Sequence, residues 1–297
     1  MNESTHNTTS KEQEFNTPKG NELMNDRQFM FDDFDYCGSD DIKLAHFKWS
    51  LKEGVAGPGP VGCSWSKHNI SFIDDPDSPD NRLMRLSAST DGTASGCSQA
   101  EILHETKYFE GTYAARVRFT DRPVSGEPGD KINETFFTIS PLRYANDPLY
   151  SECDFEYLGN GGWEKAGATM WLTSWHTYQD YPDFKMDNTN NYINESHEGW
   201  HILVFVVAED TVKYYIDGEL KAVHGDKFYP RALMNISFNL WFLNEEDSLL
   251  PSGSKRTYVM DVDWVFHAKN YVMPTESILK QVNNFRNKGI KRWDSIM

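Results

Sequence analysis

The sequence lacks long apolar runs, an excess of basic residues and a large number of cysteines. No stretch approaches the roughly 18 apolar residues of a membrane-spanning helix, so no membrane span is predicted. The 45 acidic residues outnumber the 29 basic ones and give a formal net charge of −16, which excludes a general phosphate-binding surface and hence nucleic acid as a partner. The four cysteines have no CxxC spacing, and the nine histidines form no HxH or HExxH arrangement, so no catalytic metal is predicted.

The first residues show no sign of a secretory leader, because they have neither a basic n-region nor an apolar h-region. Residues 1–28 consist mostly of Asn, Ser, Thr, Glu and Lys with hardly any apolar side chains. Burial of so few apolar groups cannot offset the entropy cost of ordering the chain. The segment 1–28 is therefore predicted to be a disordered tail.

Aromatic and β-branched residues recur in short runs along the remainder of the chain. Of all residues, 38% are hydrophobic and 14% aromatic, which suffices for one large core. From residue 29 onward, short β-branched and aromatic runs alternate with Gly, Pro, Asn and Asp, a pattern typical of all-β proteins. The candidate strands are too many for one layer and predict a sandwich of two antiparallel sheets over residues 29–270.

One helix is predicted near the C-terminus. Apolar residues recur there at helical spacing after Pro274, at Ile278, Val282 and Phe285. Residues 271–297 are therefore predicted to form a helical extension packed on the sandwich. Three long segments, 121–133, 141–151 and 176–198, are predicted to be loops that wall a cleft.

The most informative segment reads YSECDFEYLG from residue 150 to residue 159. Side chains alternate between the two faces of a strand, so Glu152, Asp154 and Glu156 share one face while the apolar residues between them enter the core. No Lys or Arg lies within the segment, although like charges so close together destabilise a sheet. An acidic solvated face is one interpretation. The other is a catalytic strand, because crowded carboxylates raise one another's proton affinity.

Glycoside cleavage needs such a set: a carboxylic acid that protonates the leaving oxygen and a carboxylate on the other side of the sugar ring. Glu152 and Glu156 are the natural pair. Residues four apart on a strand have Cα atoms about 13 Å apart. Because a retaining pair requires carboxyl groups about 5–5.5 Å apart, the two side chains must lean toward each other above Asp154.

The segment ECDFEYLG resembles the signature of glycoside hydrolase family 16, E-[ILVM]-D-[IVAF]-E-[FLM]-L-G, in the E-x-D-x-E form shared by the bacterial lichenases and the xyloglucan-active members. The resemblance covers about residues 29–268. GCSW at 62–65 and FEGTYAARV at 109–117 precede the motif, and VKYYIDG at 212–218, NLW at 239–241 and DVDWV at 261–265 follow it. It implies a concanavalin-like jelly roll whose cleft is crossed by the catalytic strand.

The resemblance also implies roles for individual residues. Glu152 corresponds to the nucleophile, Asp154 to an electrostatic helper and Glu156 to the general acid and base. Further positions are expected to contact substrate: Tyr150, Trp171, Trp175, Asn239, Trp241, Gln99 and Glu101. The resemblance implies a disulfide between Cys63 and Cys97, no cofactor for catalysis, and a structural calcium ligand at Asp263.

These observations favour a retaining endo-acting hydrolase of β-glucosidic bonds, with mixed-linkage β-1,3-1,4-glucan as the first expected substrate. The segment 169–175 departs from the lichenase pattern, so a hydrolase or transglycosylase acting on β-1,3-glucan, xyloglucan or an algal galactan stays open. A non-catalytic carbohydrate-binding sandwich is the alternative from another class, since fold does not fix function. A polysaccharide substrate implies an extracellular, periplasmic or cell-surface protein, and a monomer is expected.

Overall fold

A computed structural model describes residues 27–179 and 183–297, so nearly all of the predicted tail lies outside the described residues. These described residues form mainly β-strands, together with two α-helices, α1 (Ile42–His46) and α2 (Thr275–Asn287). The strands are β1 (Phe29–Asp32), β2 (Trp49–Leu51), β3 (Gly54–Val55), β4 (Ser64–Trp65), β5 (Ile70–Asp75), β6 (Ser78–Thr90), β7 (Ser98–His104), β8 (Gly111–Phe119), β9 (Ile132–Ile139), β10 (Glu152–Leu158), β11 (Thr169–Gln179), β12 (Lys185–Ile193), β13 (Gly199–Ala208), β14 (Thr211–Ile216), β15 (Glu219–Gly225), β16 (Ser237–Phe242), β17 (Arg256–Lys269) and β18 (Arg292–Asp294). Within these described ranges, no helix combines the length and apolar character that crossing a membrane would require.

The strands form two antiparallel sheets packed face to face. The front sheet has the order β2-β7-β16-β9-β10-β11-β12. The back sheet has the order β5-β6-β17-β8-β13-β14-β15, and β1 and β18 extend it beside the C-terminal half of β17. This architecture confirms the predicted all-β jelly-roll sandwich and places β10 in the interior of the front sheet.

Aromatic side chains fill the space between the sheets. The ring of Phe155 on β10 stacks on that of Phe205 on β13, with centroids 5.3 Å apart. Phe136 on β9 stacks against the same ring at 4.9 Å. Because Phe155 and its neighbours Cys153 and Tyr157 are fully buried, the intervening acidic residues of β10 must point away from the core.

Helix α2 covers the outer face of the back sheet. Ile278, Val282 and Phe285 form its buried stripe, and the ring of Phe285 stacks on Phe31 of β1 with centroids 4.9 Å apart. After the helix, β18 pairs antiparallel with β1. The C-terminal helix expected from the apolar spacing is present, and the segment that follows it adds a strand that the sequence did not predict.

The prediction of a loop over residues 176–198 is wrong for most of its length. Strand β11 continues to Gln179, and β12 occupies Lys185–Ile193. Strand β12 is the edge of the front sheet, and its sequence KMDNTNNYI leaves both faces largely polar. Edge strands have little surface to bury, so the apolar alternation that reveals a strand is missing here.

A disulfide joins Cys63 to Cys97, which confirms the pairing implied by the family resemblance. The two cysteines immediately precede β4 and β7, which run parallel to each other with Ser64 opposite Ser98. The bridge closes a separation of 34 residues and ties the segment before β5 to the front sheet.

Candidate active site

The three acidic residues of β10 lie on the front face, the side of the front sheet that points away from the back sheet. Their positions follow from register: Glu156 is opposite Thr135 on β9 and Trp171 on β11, and Glu152 is opposite Trp175. Directly opposed residues of an antiparallel pair project to the same side of a sheet. Side chains from β9 and β11, the strands on either side of β10, therefore surround the three acids.

Each carboxyl group has its own neutral hydrogen-bond donor. The Tyr150 hydroxyl donates to Oε2 of Glu152. The Nε1–H of Trp175 donates to Oδ2 of Asp154 at 2.9 Å, and the Nδ2–H of Asn133 donates to Oε1 of Glu156 at 2.9 Å. Within residues 27–179 and 183–297, no Lys, Arg or His forms an ion pair with these carboxyl groups.

Burial raises the pKa of all three carboxyl groups, because the charged form loses its hydration. It raises the pKa of Glu156 from 4.5 to about 7, against the opposing effect of the hydrogen bonds from Asn133 and Thr173. The pKa values of Glu152 and Asp154 are also raised by burial first, and then by repulsion from the neighbouring carboxylates. The site therefore retains a proton near neutral pH, which a general acid must do.

Aromatic residues flank the acidic row at both ends. Beyond Glu156, the ring of Trp163 lies 5.9 Å from Trp171 and 6.4 Å from Trp241, measured between centroids. Trp171 in turn lies 5.2 Å from Tyr192 on β12. Aromatic faces are the surfaces on which the apolar faces of pyranose rings stack. Sequence reasoning missed Trp163, because it lies in the loop between β10 and β11, where no strand register can place it.

At the Glu152 end, Trp175 lies edge-on to Tyr178 with centroids 6.0 Å apart. Trp175 therefore has two roles. Its ring is one of the aromatic groups at this end of the acidic row, and its Nε1–H donates a hydrogen bond to Asp154. Strands β11 and β16 bring the predicted contacts Trp171, Trp175, Asn239 and Trp241 to the same face as the three acids, and Tyr150, just before β10, reaches Glu152.

Four buried polar atoms near Glu156 have no hydrogen-bond partner among the described residues: Oδ1 of Asn133, Oγ1 of Thr135, Nε1 of Trp171 and Oδ1 of Asn239. Leaving such atoms unpaired costs free energy, on the order of 1–3 kcal/mol each. Register places three of them in one row with Glu156, in the order Trp171, Glu156, Thr135 and Asn239. This mixture of donors and acceptors suits a ligand rich in hydroxyl groups.

The two substrate contacts predicted on β7, Gln99 and Glu101, have different surroundings in the structure. Glu101 lies opposite Asn239 on the front face, and one of its oxygens pairs with Nζ of Lys52 at 3.1 Å. Gln99 is fully buried: its Nε2–H donates to the carbonyl of Pro58, and its Oε1 accepts from the backbone N–H of Phe242. The prediction of Gln99 as a substrate contact is therefore corrected to a structural role.

The close approach of the backbone at Gly59 explains why Gln99 is covered. A Cβ atom at Gly59 would lie 2.4 Å from Oε1 of Gln99, and the backbone there has a φ of +111°. Both features require glycine. The segment containing Gly59 thus packs directly onto the Gln99 amide and closes this end of β7 to solvent.

The contacts of Asp263 do not fit a calcium ion. This buried carboxylate accepts hydrogen bonds from Asn81 at 2.7 Å, from Arg116 at 2.8 Å and from Arg286 of α2 at 2.7 Å. Calcium requires a shell of oxygen ligands, whereas two guanidinium groups already neutralise this aspartate. In the described part of the chain, no cluster of three or more His, Cys, Asp or Glu residues could hold a metal.

The chain matches no model of a known protein family. The endo-1,3-1,4-beta-glycanase ExoK of Rhizobium meliloti (strain 1021) is 25% identical over 196 residues, which are 65% of this chain. The chain spans 63% of the length of that curated relative.

Solved structures share the fold. The Bacillus licheniformis beta-glucanase has a TM-score of 0.58 and 17% identity, covering 81% of this chain and 97% of the other. Porphyranase B of Zobellia galactanivorans has the same TM-score, 0.58, with 14% identity, covering 85% of this chain and 97% of the other. In motif and in fold, the chain resembles the glycoside hydrolases of family 16 and, among them, the lichenases.

Proposed function

We propose that this protein is a retaining, endo-acting glycoside hydrolase that cleaves β-glucosidic bonds in a polysaccharide. The observation that carries the proposal is the row of three carboxyl groups on β10, each held by a neutral donor and without a basic partner in the described chain. A structural ion-pair network would neutralise such a row, whereas acid–base and nucleophilic catalysis need it intact.

The proposed reaction has two displacements at the anomeric carbon. In the first, Oε of Glu152 forms a bond to this carbon while the glycosidic C–O bond breaks, and the leaving oxygen takes the proton of Glu156. In the second, Glu156 removes a proton from water, the water oxygen bonds to the same carbon, and Glu152 leaves as a carboxylate. Two inversions return the original anomeric configuration.

The donors beside the acids support this division of roles. The Tyr150 hydroxyl stabilises the carboxylate form of Glu152, which a nucleophile must adopt. Asp154, tied to Trp175, lies between the two glutamates. Burial and repulsion from both glutamates raise the pKa of Asp154, so it tends to hold a proton, and its hydrogen bond to Glu152 favours the carboxylate form of the nucleophile.

Mixed-linkage β-1,3-1,4-glucan is the substrate we propose first. Its support is the curated relative, whose name specifies an endo-1,3-1,4-beta-glycanase. The shared fold does not separate polysaccharides, since a beta-glucanase and a porphyranase match it equally well. β-1,3-Glucan, xyloglucan and algal galactans, and transfer to a sugar rather than to water, are therefore included in the test.

The non-catalytic alternative is less favoured because a lectin has no need of three adjacent acids with raised pKa values. We further propose that the protein acts as a monomer outside the cytoplasm. A polysaccharide substrate supports this location, and so does the Cys63–Cys97 disulfide, since disulfides persist mainly in oxidising compartments.

The test is an activity panel on barley-type mixed-linkage glucan, laminarin, xyloglucan and agar, with products identified by mass spectrometry. Glu152→Gln and Glu156→Gln should each lower kcat at least about 1000-fold on the active substrate, since each removes a group essential to bond cleavage. Glu219→Gln, an exposed glutamate of β15, is the matched control and should retain wild-type turnover. Wild-type turnover in either active-site variant would refute the proposed mechanism.

A further inference from the structure

Asn133 contacts the proposed general acid from a neighbouring strand, and no role was predicted for it. It lies near the start of β9, on the front face, opposite Trp241 of β16. Its side chain is fully buried, and its Nδ2–H donates to Oε1 of Glu156 at 2.9 Å. The Asn133 amide therefore reaches the Glu156 carboxyl group from the neighbouring strand β9, whereas Glu152 and Asp154 lie on the same strand as Glu156.

The chemistry of this contact is directional. An amide NH₂ group can only donate, so Oε1 of Glu156 accepts. Because a carbonyl oxygen accepts a hydrogen bond more strongly than a hydroxyl oxygen, this contact favours the neutral form of Glu156 that carries its proton on Oε2. The same donor also favours the carboxylate form, and it thereby opposes the effect of burial on this group.

A glutamate that acts first as an acid and then as a base needs both effects. Its proton must leave from a fixed oxygen toward the glycosidic oxygen, and its carboxylate must be accessible again for the second step. We propose that Asn133 is the positioning residue of Glu156, fixing the carboxyl group so that Oε2 is the oxygen that donates and later recovers the proton. This inference rests on the proposed hydrolase function.

The surroundings of Glu156 leave Asn133 as a principal control on its protonation. The strands on either side, β9, β11 and β16, present neutral side chains toward it: Asn133, Thr135, Trp171, Thr173, Asn239 and Trp241. Among the described residues, the charged groups around this site are Glu152 and Asp154 on the same strand, Glu101 on β7, which pairs with Lys52, and Glu245, which pairs with Lys131 at the Trp163 end. Removing the Asn133 donor should therefore be visible in the titration of Glu156.

The test is Asn133→Leu, which removes the donor and keeps the branched shape of the side chain. We expect kcat on the polysaccharide to fall about 10- to 100-fold, with KM within about twofold, because general acid catalysis contributes roughly 100- to 10,000-fold. The basic limb of the pH–rate profile should move upward by about one pH unit, since a donor to the charged form is lost. For an aryl glycoside whose leaving group has a low pKa, kcat should fall less than about threefold, because this group departs with little protonation.

Asn81→Leu is the matched control, since it removes another buried amide that donates to a carboxylate, Asp263, on the back sheet. We expect it to lower stability without moving the pH profile. The positioning role is overturned if Asn133→Leu changes only KM, or if it lowers kcat equally on the polysaccharide and the aryl glycoside with the basic limb of the pH profile unchanged. The hydrolase function would stand in either case.

A second readout is independent of activity. In protein labelled with ¹³C at the glutamate carboxyl groups, the signal absent from Glu156→Gln identifies Glu156. Its titration midpoint should move upward in Asn133→Leu and stay in place in Asn81→Leu. If no polysaccharide is cleaved by the wild type, the hydrolase proposal fails, whereas an unmoved midpoint refutes the control of Glu156 by Asn133.

Discussion

Burial of the acidic row should make the protein less stable at alkaline pH than a variant without one of these charges. The pKa of Glu156 is raised from 4.5 to about 7 in the folded protein. Well below pH 4.5 the carboxyl group is neutral in both the folded and the unfolded protein, so it does not change the free energy of unfolding. As the pH rises toward 7 the unfolded chain ionises first, so the free energy of unfolding falls and then levels off above the folded pKa.

The magnitude follows from the pKa difference. Each pKa unit corresponds to about 1.4 kcal/mol, so a rise of about 2.5 units would cost about 3 kcal/mol for a fully buried group. Glu156 is partly exposed, which reduces the expected cost to about 2 kcal/mol. Glutamine has the same shape and can still accept the hydrogen bond from Asn133, so Glu156→Gln should remove this cost without a new cavity.

The assay is urea unfolding of the wild type and Glu156→Gln at pH 4.5 and pH 8. The variant should match the wild type at pH 4.5 within about 0.5 kcal/mol and exceed it by about 2 kcal/mol at pH 8. The exposed control Glu219→Gln should show no such pH-dependent gain. Equal stability of the variant and the wild type at pH 8 would refute the burial of charge on which the proposed site depends.

Three other predictions concern the scaffold. Phe285→Ala should lower the free energy of unfolding by about 3–4 kcal/mol in urea titrations, because it removes the ring stacked on β1, and a loss below about 1 kcal/mol would contradict that packing. Replacing Cys63 and Cys97 by Ala should cost about 4 kcal/mol under non-reducing conditions, since the bridge closes a 34-residue separation, and dithiothreitol should reproduce this loss in the wild type. Added Ca²⁺ or EDTA should leave the wild-type Tm unchanged, because Arg286 pairs with Asp263, whereas a clear rise of Tm in Ca²⁺ would contradict this pairing.

The sequence predicted the acidic row because its signal is local. A strand period of two puts Glu152, Asp154 and Glu156 on one side whatever the neighbouring strands are, and the buried Phe155 shows which side is the core. The two-sheet architecture was predictable for the same reason, since most strands between residues 70 and 267 carry buried apolar residues that the sequence reveals.

Features that depend on the pairing of distant strands were not predictable. Asn133 and Glu156 are separated by 23 residues and meet only through the β9–β10 register, so neither segment alone indicates the contact. Gln99 failed as a predicted contact because the segment at Gly59, 40 positions earlier, covers it. Strand β12 was missed because an edge strand with two polar faces has no apolar period.

The expectation of calcium at Asp263 shows a related limit. The position in β17 resembles a ligand position, but the groups that surround the carboxylate come from β6, β8 and α2. The guanidinium of Arg286 also binds Asp33, so the C-terminal helix closes a buried ion-pair network across the back sheet. Only the tertiary arrangement reveals that these cations are already in place.

The most direct test of the account is azide rescue of the two glutamates. With an activated aryl β-glycoside as substrate, Glu156→Ala plus sodium azide should yield the β-glycosyl azide, because azide attacks the covalent intermediate on Glu152. Glu152→Ala plus azide should yield the α-glycosyl azide, because azide replaces the missing nucleophile. The anomeric proton coupling in ¹H NMR distinguishes the two products. The assignment of Glu152 as nucleophile and Glu156 as acid and base would be contradicted if Glu156→Ala gave the α-glycosyl azide and Glu152→Ala the β-glycosyl azide. It would also be contradicted if azide rescued neither variant.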